Sequence, residues 1–311
     1  MTVGGSGVKP ARLCRGDTVG VVAPAGAVDA GRLAAGGRAL EELGLRVKDA
    51  DGVTARAGYL AGDDATRLAD LQGMLDDPSV RAVFCARGGY GCQRIVPSLS
   101  MDALRARPKI VMGYSDVSAL LGLMVAQGLV AFHGPMVAAD LAQGLTTDSA
   151  RRLEQVLFDP EHRWQSPIPV RVRPGRARGR LVGGCLSVVA TTLGTPWEID
   201  TRGAILFLED VNERAYRFDR LLVHLRQAGK LDDVAGVVFG TLEGCPAYDG
   251  VDAEAVVREH FRDAPYPVGL GLPAGHVGGP GPVENHVLPL GIEVEIDTDG
   301  SRLVACESAV A

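Results

Sequence analysis

Short apolar runs alternate with helical patterns along the N-terminal half of the chain, and this alternation restricts the fold more than any other feature. Buried-strand patterns occur at residues 18–23, 45–50, 80–86 and 109–112. Apolar residues at helical spacing follow at 31–43, 64–75 and 117–125. Because parallel strands need such crossover helices, the sequence predicts an α/β fold with a parallel sheet covered on both faces. Ligands of such sheets bind at the carboxyl ends of the strands.

The stretch from Pro108 to Gly128 contains the sharpest predicted turn. Only the four residues GYSD at 113–116 separate the end of a strand from the start of a helix. A serine on such a turn points its hydroxyl away from the sheet, with helix amides behind it, as in a nucleophile elbow. Val117 stands where the hydrolase pattern G-x-S-x-G has its second glycine. The alternative is that Ser115 or Asp116 only caps the helix.

A second strand end carries the glycine-rich run Arg87-Gly88-Gly89-Tyr90-Gly91. Glycine allows the backbone to approach a ligand closely and to present bare amides. The run therefore favours an oxyanion hole shared between the amides of Gly88 or Gly89 and of Asp116, and a tight structural turn is the alternative. A phosphate-binding loop is disfavoured because neither GxxxxGK[ST] nor GxGxxG fits.

Composition limits the class of protein. With 311 residues the chain is long enough for two domains, which we place at 1–165 and 181–311. The basic run RVRPGRARGR suggests a linker at 166–180, or else a strand edge. The net charge of −6 argues against a nucleic-acid partner, and no apolar run is long enough to span a membrane. The six cysteines are scattered without a CxxC pair, and no signal-peptide core is visible, so we expect a cytoplasmic protein without disulfides.

A serine nucleophile needs a base, and the base needs a group that orients it. His276 is the candidate base because it follows a strand in a glycine-rich loop, although a structural hydrogen-bonding role is the alternative. Glu209 and Asp210 end a buried strand and are the candidate acids, with helix capping as the alternative, whereas we expect Glu213 to face solvent. No HExxH motif or clustered Cys/His spacing appears, so we predict no metal and no cofactor.

Several motifs together resemble the LD-carboxypeptidase family of serine peptidases, which includes murein tetrapeptide carboxypeptidases and microcin C immunity hydrolases. They cover almost the whole chain in the family's order. The matching segments are VGVVAPAG, ARGGYG at 86–91, GYSDVSALL at 113–121, FHGP at 132–135, GTPWEIDTRGAILFLEDVNERAYRFDRLL at 194–222 and GLPAGH at 271–276. The resemblance implies Ser115 as nucleophile, Glu209 as orienting acid and His276 as base. Cys185 departs from the family pattern, since many relatives have asparagine there.

The same resemblance implies a fold and an activity. The N-terminal domain would resemble class I glutamine amidotransferases, and the C-terminal domain would be a swivelling, β-rich α/β domain, usually in a homodimer. The implied reaction releases D-alanine from an L,D bond of murein tetrapeptide in cell-wall recycling. Arg87 is the candidate for binding the terminal carboxylate, with a structural salt bridge as the alternative. The alternative function is a microcin C-type hydrolase that cleaves an aminoacyl- or peptidyl-nucleotide amide.

Overall fold

The computed structural model describes residues 6–311, so the first five residues of the predicted N-terminal domain lie outside it. Strands alternate with helices up to residue 158. The strands are β1 (Thr18–Val22), β2 (Arg46–Asp49), β3 (Val80–Cys85), β4 (Ile110–Gly113) and β5 (Ala131–His133). The helices are α1 (Ala30–Glu42), α2 (Asp64–Asp76), α3 (Cys92–Ile95), α4 (Asp102–Ala106), α5 (Ser118–Ala126) and α6 (Thr147–Phe158).

The remainder of the chain is richer in strands. Its strands are β6 (Gln165–Pro167), β7 (Val170–Arg173), β8 (Arg176–Cys185), β9 (Ile205–Val211), β10 (Gly236–Glu243), β11 (Val268–Leu270), β12 (Leu288–Leu290), β13 (Glu293–Asp297) and β14 (Arg302–Ala305). Its helices are α7 (Leu186–Thr191), α8 (Ala215–Gln227) and α9 (Ala253–His260). Among the described residues, no helix is both long enough and apolar enough to cross a bilayer.

Two sheets organise these elements. The first has the order β12-β5-β4-β3-β1-β2, in which β1 to β5 are parallel, as predicted. The second has the order β6-β14-β13-β8-β9-β10-β11-β7, with β8 to β11 parallel at its centre. Strand β12 comes from the C-terminal part of the chain but pairs antiparallel with β5 in the first sheet. The segment between β11 and β12 is therefore anchored at one end in the second sheet and at the other end in the first.

The predicted linker at 166–180 forms strands instead of a free connection. It contains β7, which is an edge strand of the second sheet, and the first half of β8. The arginines of β8 pair across the sheet with acidic residues of β13, Arg176 with Asp297 at 3.0 Å and Arg178 with Glu295 at 2.7 Å. The strand-edge alternative therefore fits β7, whereas the pairing of β8 could not be read from the sequence because its acidic partners lie more than 100 residues later in the chain.

Helix α1 packs closely against a π-helix at Val137–Leu141. Arg32 of α1 donates hydrogen bonds to the carbonyl oxygens of Ala138 and Ala139 at 2.7 and 2.8 Å. Gly36 lies where the two helices are closest, and a methyl group on it would overlap the carbonyl of Val137. A methyl group on the next residue, Gly37, would meet nothing within 4 Å.

This pair of adjacent glycines provides a matched test of the packing. We expect Gly36→Ala to lower the free energy of unfolding by about 1–3 kcal/mol, because the helices must move apart. Gly37→Ala should raise it by about 0.5–1 kcal/mol, because alanine loses less backbone entropy in a helix. Urea unfolding of both variants checks this difference. Equal stability of the two would mean that the helix contact is not as close as described.

Candidate functional site

Ser115 lies on the strained turn that follows β4. Its φ of +62° is in the left-handed region, which non-glycine residues seldom adopt. A short 3₁₀ helix at Ser115–Val117 leads from it into α5. The capping alternative finds no support, because neither helix start has a side-chain cap and Asp116 instead accepts a hydrogen bond from the amide of Cys92 at 2.7 Å. The turn thus has the strained strand-to-helix geometry of a nucleophile elbow.

The glycine run after β3 lies directly against this serine. A methyl group on Gly88 would stand 2.5 Å from Cβ and 2.7 Å from Oγ of Ser115, so only glycine fits there. The carbonyl of Gly88 accepts a hydrogen bond from Gly26, and among the described residues the amides of Gly88 and Gly89 donate none. The amide of Asp116 lies in the first helical turn, where amides have no partner within the helix. An oxyanion hole at these three amides stays a prediction that this placement favours.

Glu209, near the end of β9, forms a hydrogen-bonded pair with His276, which is partly exposed. Glu209 is fully buried, and its Oε2 accepts hydrogen bonds from Nδ1 of His276 at 2.7 Å and from the amide of His276 at 3.0 Å. Gly275 has a φ of +114°, and a methyl group on it would stand 2.5 Å from Oε2 of Glu209. The close approach therefore requires glycine before the histidine. Because Nδ1 donates to the carboxylate, Nε2 is left to accept a proton.

The pKa values of the pair follow from burial and from their contact. Burial disfavours the charged imidazolium, yet the hydrogen bond and the negative charge of Glu209 outweigh it and raise the pKa of His276 above 6.5. Burial also opposes the charge on Glu209, but the nearby imidazole of His133 and the hydrogen bond and charge of His276 outweigh it and lower the pKa of that carboxyl. Glu209 is thus ionised at neutral pH and stabilises a protonated His276.

Tyr114 connects the nucleophile turn to this pair. Its ring packs edge-on against the ring of His276, with the centroids 4.9 Å apart. Since Tyr114 immediately precedes Ser115, this contact brings the first-sheet turn and the second-sheet pair into one site. The turn that carries Ser115 therefore lies next to the Glu209–His276 pair, and the assignment of these three residues as a catalytic set stays a prediction.

His133 is the residue that sequence reasoning did not assign to the site. It ends β5, is fully buried, and has its Nε2 3.6 Å from Oε1 of Glu209. The ring packs against Phe207 and Tyr114, with centroids 4.9 and 5.6 Å away. Its position at the end of an apolar run, at the carboxyl edge of the sheet, was the available signal. Glu209 thus lies between two imidazole rings.

The other predicted site residues occupy different surroundings. Arg87 is exposed, donates to the carbonyl of Ala27 at 2.8 Å, and takes part in none of the salt bridges of the described residues. The salt-bridge alternative is not what the structure shows, and the carboxylate-binding role stays a prediction. Cys185 is buried with its Sγ 3.5 Å from Oδ1 of Asp210, and burial raises the pKa of this thiol. Burial likewise raises the pKa of Asp210 to about 6.

One group of side chains in the described part of the chain has the spacing of metal ligands, away from the serine. It consists of Asp148, Glu284 and His286, with Nε2 of His286 3.2 Å from Oδ2 of Asp148. Two arginines already supply positive charge there, since Arg151 forms an ion pair with Asp148, and Arg152 adds to the effect of burial, which lowers the pKa of His286 to about 4. The group belongs to α6 and to the loop before β12.

Glu209 and Glu213 give different expectations for mutation. Glu209→Gln should keep the shape but remove the charge that supports the imidazolium, and we expect kcat to fall by about 10³–10⁴. Glu213 was expected to face solvent, which is wrong, because its Oε2 is shielded from solvent and has no hydrogen-bond partner among the described residues. It still makes no hydrogen bond to His276, so Glu213→Gln should cost far less. Both variants replace glutamate by glutamine, so steady-state kinetics compare them directly. A larger loss of kcat in Glu213→Gln than in Glu209→Gln would contradict Glu209 as the orienting acid.

Comparisons with known proteins cover most of the chain. The sequence model described as the LD-carboxypeptidase N-terminal domain matches residues 19–134, and that of the C-terminal domain matches residues 178–296. The chain is 40% identical, over 93% of its length and 92% of the relative's, to a probable murein peptide carboxypeptidase of Bacillus subtilis. It is similar to the crystal structure of muramoyltetrapeptide carboxypeptidase from Oxalobacter formigenes, with 27% identity, a TM-score of 0.83 and coverage of 92% and 97%.

A third relative shares the fold at lower identity. The microcin C7 self-immunity protein MccF in its apo state has a TM-score of 0.90 and 22% identity, with 98% of this chain and 100% of that chain covered. At this identity the likeness shows the fold alone.

Proposed function

The chain belongs to the LD-carboxypeptidase family, and from that premise we propose that it is a serine carboxypeptidase that releases terminal D-alanine from murein tetrapeptide by hydrolysing an L,D peptide bond. The observation that carries the proposal is the hydrogen bond of 2.7 Å between the buried Glu209 and His276, beside the strained turn of Ser115. A nucleophile, a base and an orienting acid in one site are the parts that acyl transfer needs.

The reaction proceeds in two steps. Oγ of Ser115 attacks the carbonyl carbon of the scissile bond while Nε2 of His276 takes the hydroxyl proton, and the charge of Glu209 stabilises the imidazolium. The C–N bond then breaks, and the imidazolium returns the proton to the leaving amine of D-alanine. A water molecule, deprotonated by His276, hydrolyses the acyl-enzyme and restores Ser115. No step requires a metal or a cofactor.

The oxyanion would be held by backbone amides. The proposal is supported by the position of Gly88 against the side chain of Ser115 and by that of Asp116, which follows Ser115 in the chain. Losing one such donor costs on the order of 10²–10³ in rate in other serine hydrolases. Glycine at position 88 is supported as a requirement because a side chain there would occupy the space of the serine hydroxyl.

An exopeptidase must also bind the free carboxylate at the end of its substrate. Arg87 is our candidate for this contact, because it follows β3 next to the glycine run and its guanidinium is exposed without a salt bridge to an acidic side chain in the described part of the chain. Arginine suits this role since its guanidinium binds a carboxylate with two parallel hydrogen bonds.

We further propose that the enzyme acts in the cytoplasm as a homodimer. The cytoplasmic location is supported by the six cysteines, all of which are free thiols in the structure. The dimer is an expectation from the family resemblance, and sedimentation of the purified protein tests it.

The substrate assignment is tested with three compounds. We expect murein tetrapeptide ending in D-alanine to exceed the same peptide ending in L-alanine, and an aminoacyl-sulfamoyl nucleotide, by at least about 10²-fold in kcat/KM. A peptide with an amidated C-terminus should also react poorly, because the carboxylate-binding group would lose its partner. Fastest cleavage of the nucleotide conjugate would favour the microcin C-type activity instead. Equal cleavage of the D- and L-ended peptides would contradict the stereochemical preference.

The nucleophile is tested with two serines three residues apart. Ser115→Ala should remain folded and lose roughly 10⁶ in turnover, as other enzymes do without the triad nucleophile. Ser118 is buried and accepts a hydrogen bond from the amide of Cys185 at 3.1 Å, so Ser118→Ala should lower stability by about 1–3 kcal/mol but retain most activity. If Ser115→Ala stays within about tenfold of the wild-type rate, the assignment is wrong.

A further inference from the structure

A buried polar chain joins the two residues that immediately precede the predicted nucleophile and base. Tyr114, which precedes Ser115, donates from its hydroxyl to Oδ1 of Asp140 at 3.3 Å. The same oxygen accepts a hydrogen bond from Nδ2 of Asn285 at 3.2 Å. Oδ1 of Asn285 in turn accepts from the amide of Gly275, which precedes His276, at 3.1 Å.

The members of this chain are shielded from water. Tyr114 is 5% exposed, Asp140 4% and Asn285 0%. The second oxygen of Asp140 accepts from the amide of Met136 at 2.9 Å, which fixes the carboxylate within its own segment. A buried polar group without its partner costs free energy, so the arrangement resists rearrangement once each group is paired.

From this connectivity we propose that Asp140 and Asn285 are positioning residues that set the distance between the nucleophile turn and the base loop. This proposal rests on the proposed serine carboxypeptidase reaction, which uses neither side chain. Asp140 lies in the π-helix at Val137–Leu141, whereas Asn285 lies in the loop between β11 and β12. Neither residue reaches the reacting atoms, and each acts through the backbone or the ring next to a catalytic residue.

The physical reason for such a device lies in the two sheets. Ser115 follows a strand of the first sheet, while Glu209 and His276 belong to strand ends of the second. A displacement of about 1 Å between a nucleophile and its base can cost roughly 10²-fold in rate. The Asp140–Asn285 pair links the two groups by three hydrogen bonds, without passing through the strands of either sheet.

The test uses three single variants of the full chain and the double variant that combines Asn285→Ala with Tyr114→Phe. Asn285→Ala removes the link to Gly275, and Tyr114→Phe removes one hydroxyl while keeping the ring against His276. The matched control is Gln143→Ala, because Gln143 holds the same loop at the surface through the carbonyls of Gly279 and Gly281, at 2.9 and 2.8 Å, but takes no part in the buried chain. Thermal unfolding shows which variants are folded.

We expect Asn285→Ala and Tyr114→Phe each to lower kcat by about 10–100-fold with KM within about threefold, while Gln143→Ala keeps the wild-type kcat. The double variant should lose little more than the worse single variant, because both changes interrupt the same link. If Asn285→Ala does not fold, Tyr114→Phe alone decides. A folded variant with unchanged kcat, an effect on KM only, or an equal loss in Gln143→Ala would overturn the proposal.

A substrate-independent measurement separates this proposal from the proposed function. A fluorophosphonate reacts with an activated serine, where the Oγ–P bond forms, fluoride leaves and the base takes the proton. The rate of labelling at Ser115 should fall in Asn285→Ala and Tyr114→Phe as kcat does. If wild-type protein is labelled but cleaves no tetrapeptide, the function is wrong while the positioning role is still tested by the labelling rates. Equal labelling of wild-type and both folded variants would contradict positioning.

Discussion

The hydrogen bond between Glu209 and His276 is the interaction on which the site depends. A carboxylate with no exposure is unfavourable in a protein interior unless hydrogen bonds and opposite charge stabilise it. Oε2 receives two donors from His276, and Oε1 faces the imidazole of His133. The absence of a side chain at Gly275 is what lets the base loop come this close. Residues from both sheets thus keep one ionised carboxylate shielded from water and in place.

The two sheets have to keep a fixed relative position for Glu209 to orient His276 toward Ser115. The loop that carries His276 starts from β11 in the second sheet and ends in β12, which pairs with β5 in the first. The backbone bridge between Leu145 and Val283 and the hydrogen bond from the amide of Asn285 to Oγ of Ser149 hold its later part against α6 and the residues before it. The base is therefore fixed relative to both sheets, which is unusual for a residue on a long loop and agrees with its need for a defined orientation.

The sequence predicted the elements whose signal is local. Strands β1, β3 and β4 are short apolar runs between turn residues, and only a few residues separate β4 from the helix after Ser115. These strands and this turn can therefore be predicted from the local sequence alone. Strands β6 and β14 were not predicted because they are short, and β7 was left between a linker and a strand edge because the partners of its arginines are distant in sequence. Their pairing is visible only when the sheet is formed.

The site divides in the same way. Ser115 was found from its turn, and Glu209 and His276 lie at strand ends and were singled out with the help of the family resemblance. His133 and Asn285 were not assigned, because a buried polar residue looks like a core residue until its contacts are known. The exposure of Glu213 was misjudged for a related reason, since the burial of a residue next to a helix start depends on contacts that are distant in sequence.

The most direct test is a nuclear magnetic resonance titration of protein carrying ¹⁵N-labelled histidine, with His276 assigned by mutation. If Glu209 holds His276 as described, the imidazole titrates with a pKa above 6.5, and this pKa falls in Glu209→Gln because the hydrogen bond and charge that most oppose the effect of burial are lost. The Nδ1 proton should resonate far downfield, as expected for a short hydrogen bond to a carboxylate. A wild-type pKa at or below 6.5 that does not change in Glu209→Gln would contradict the account.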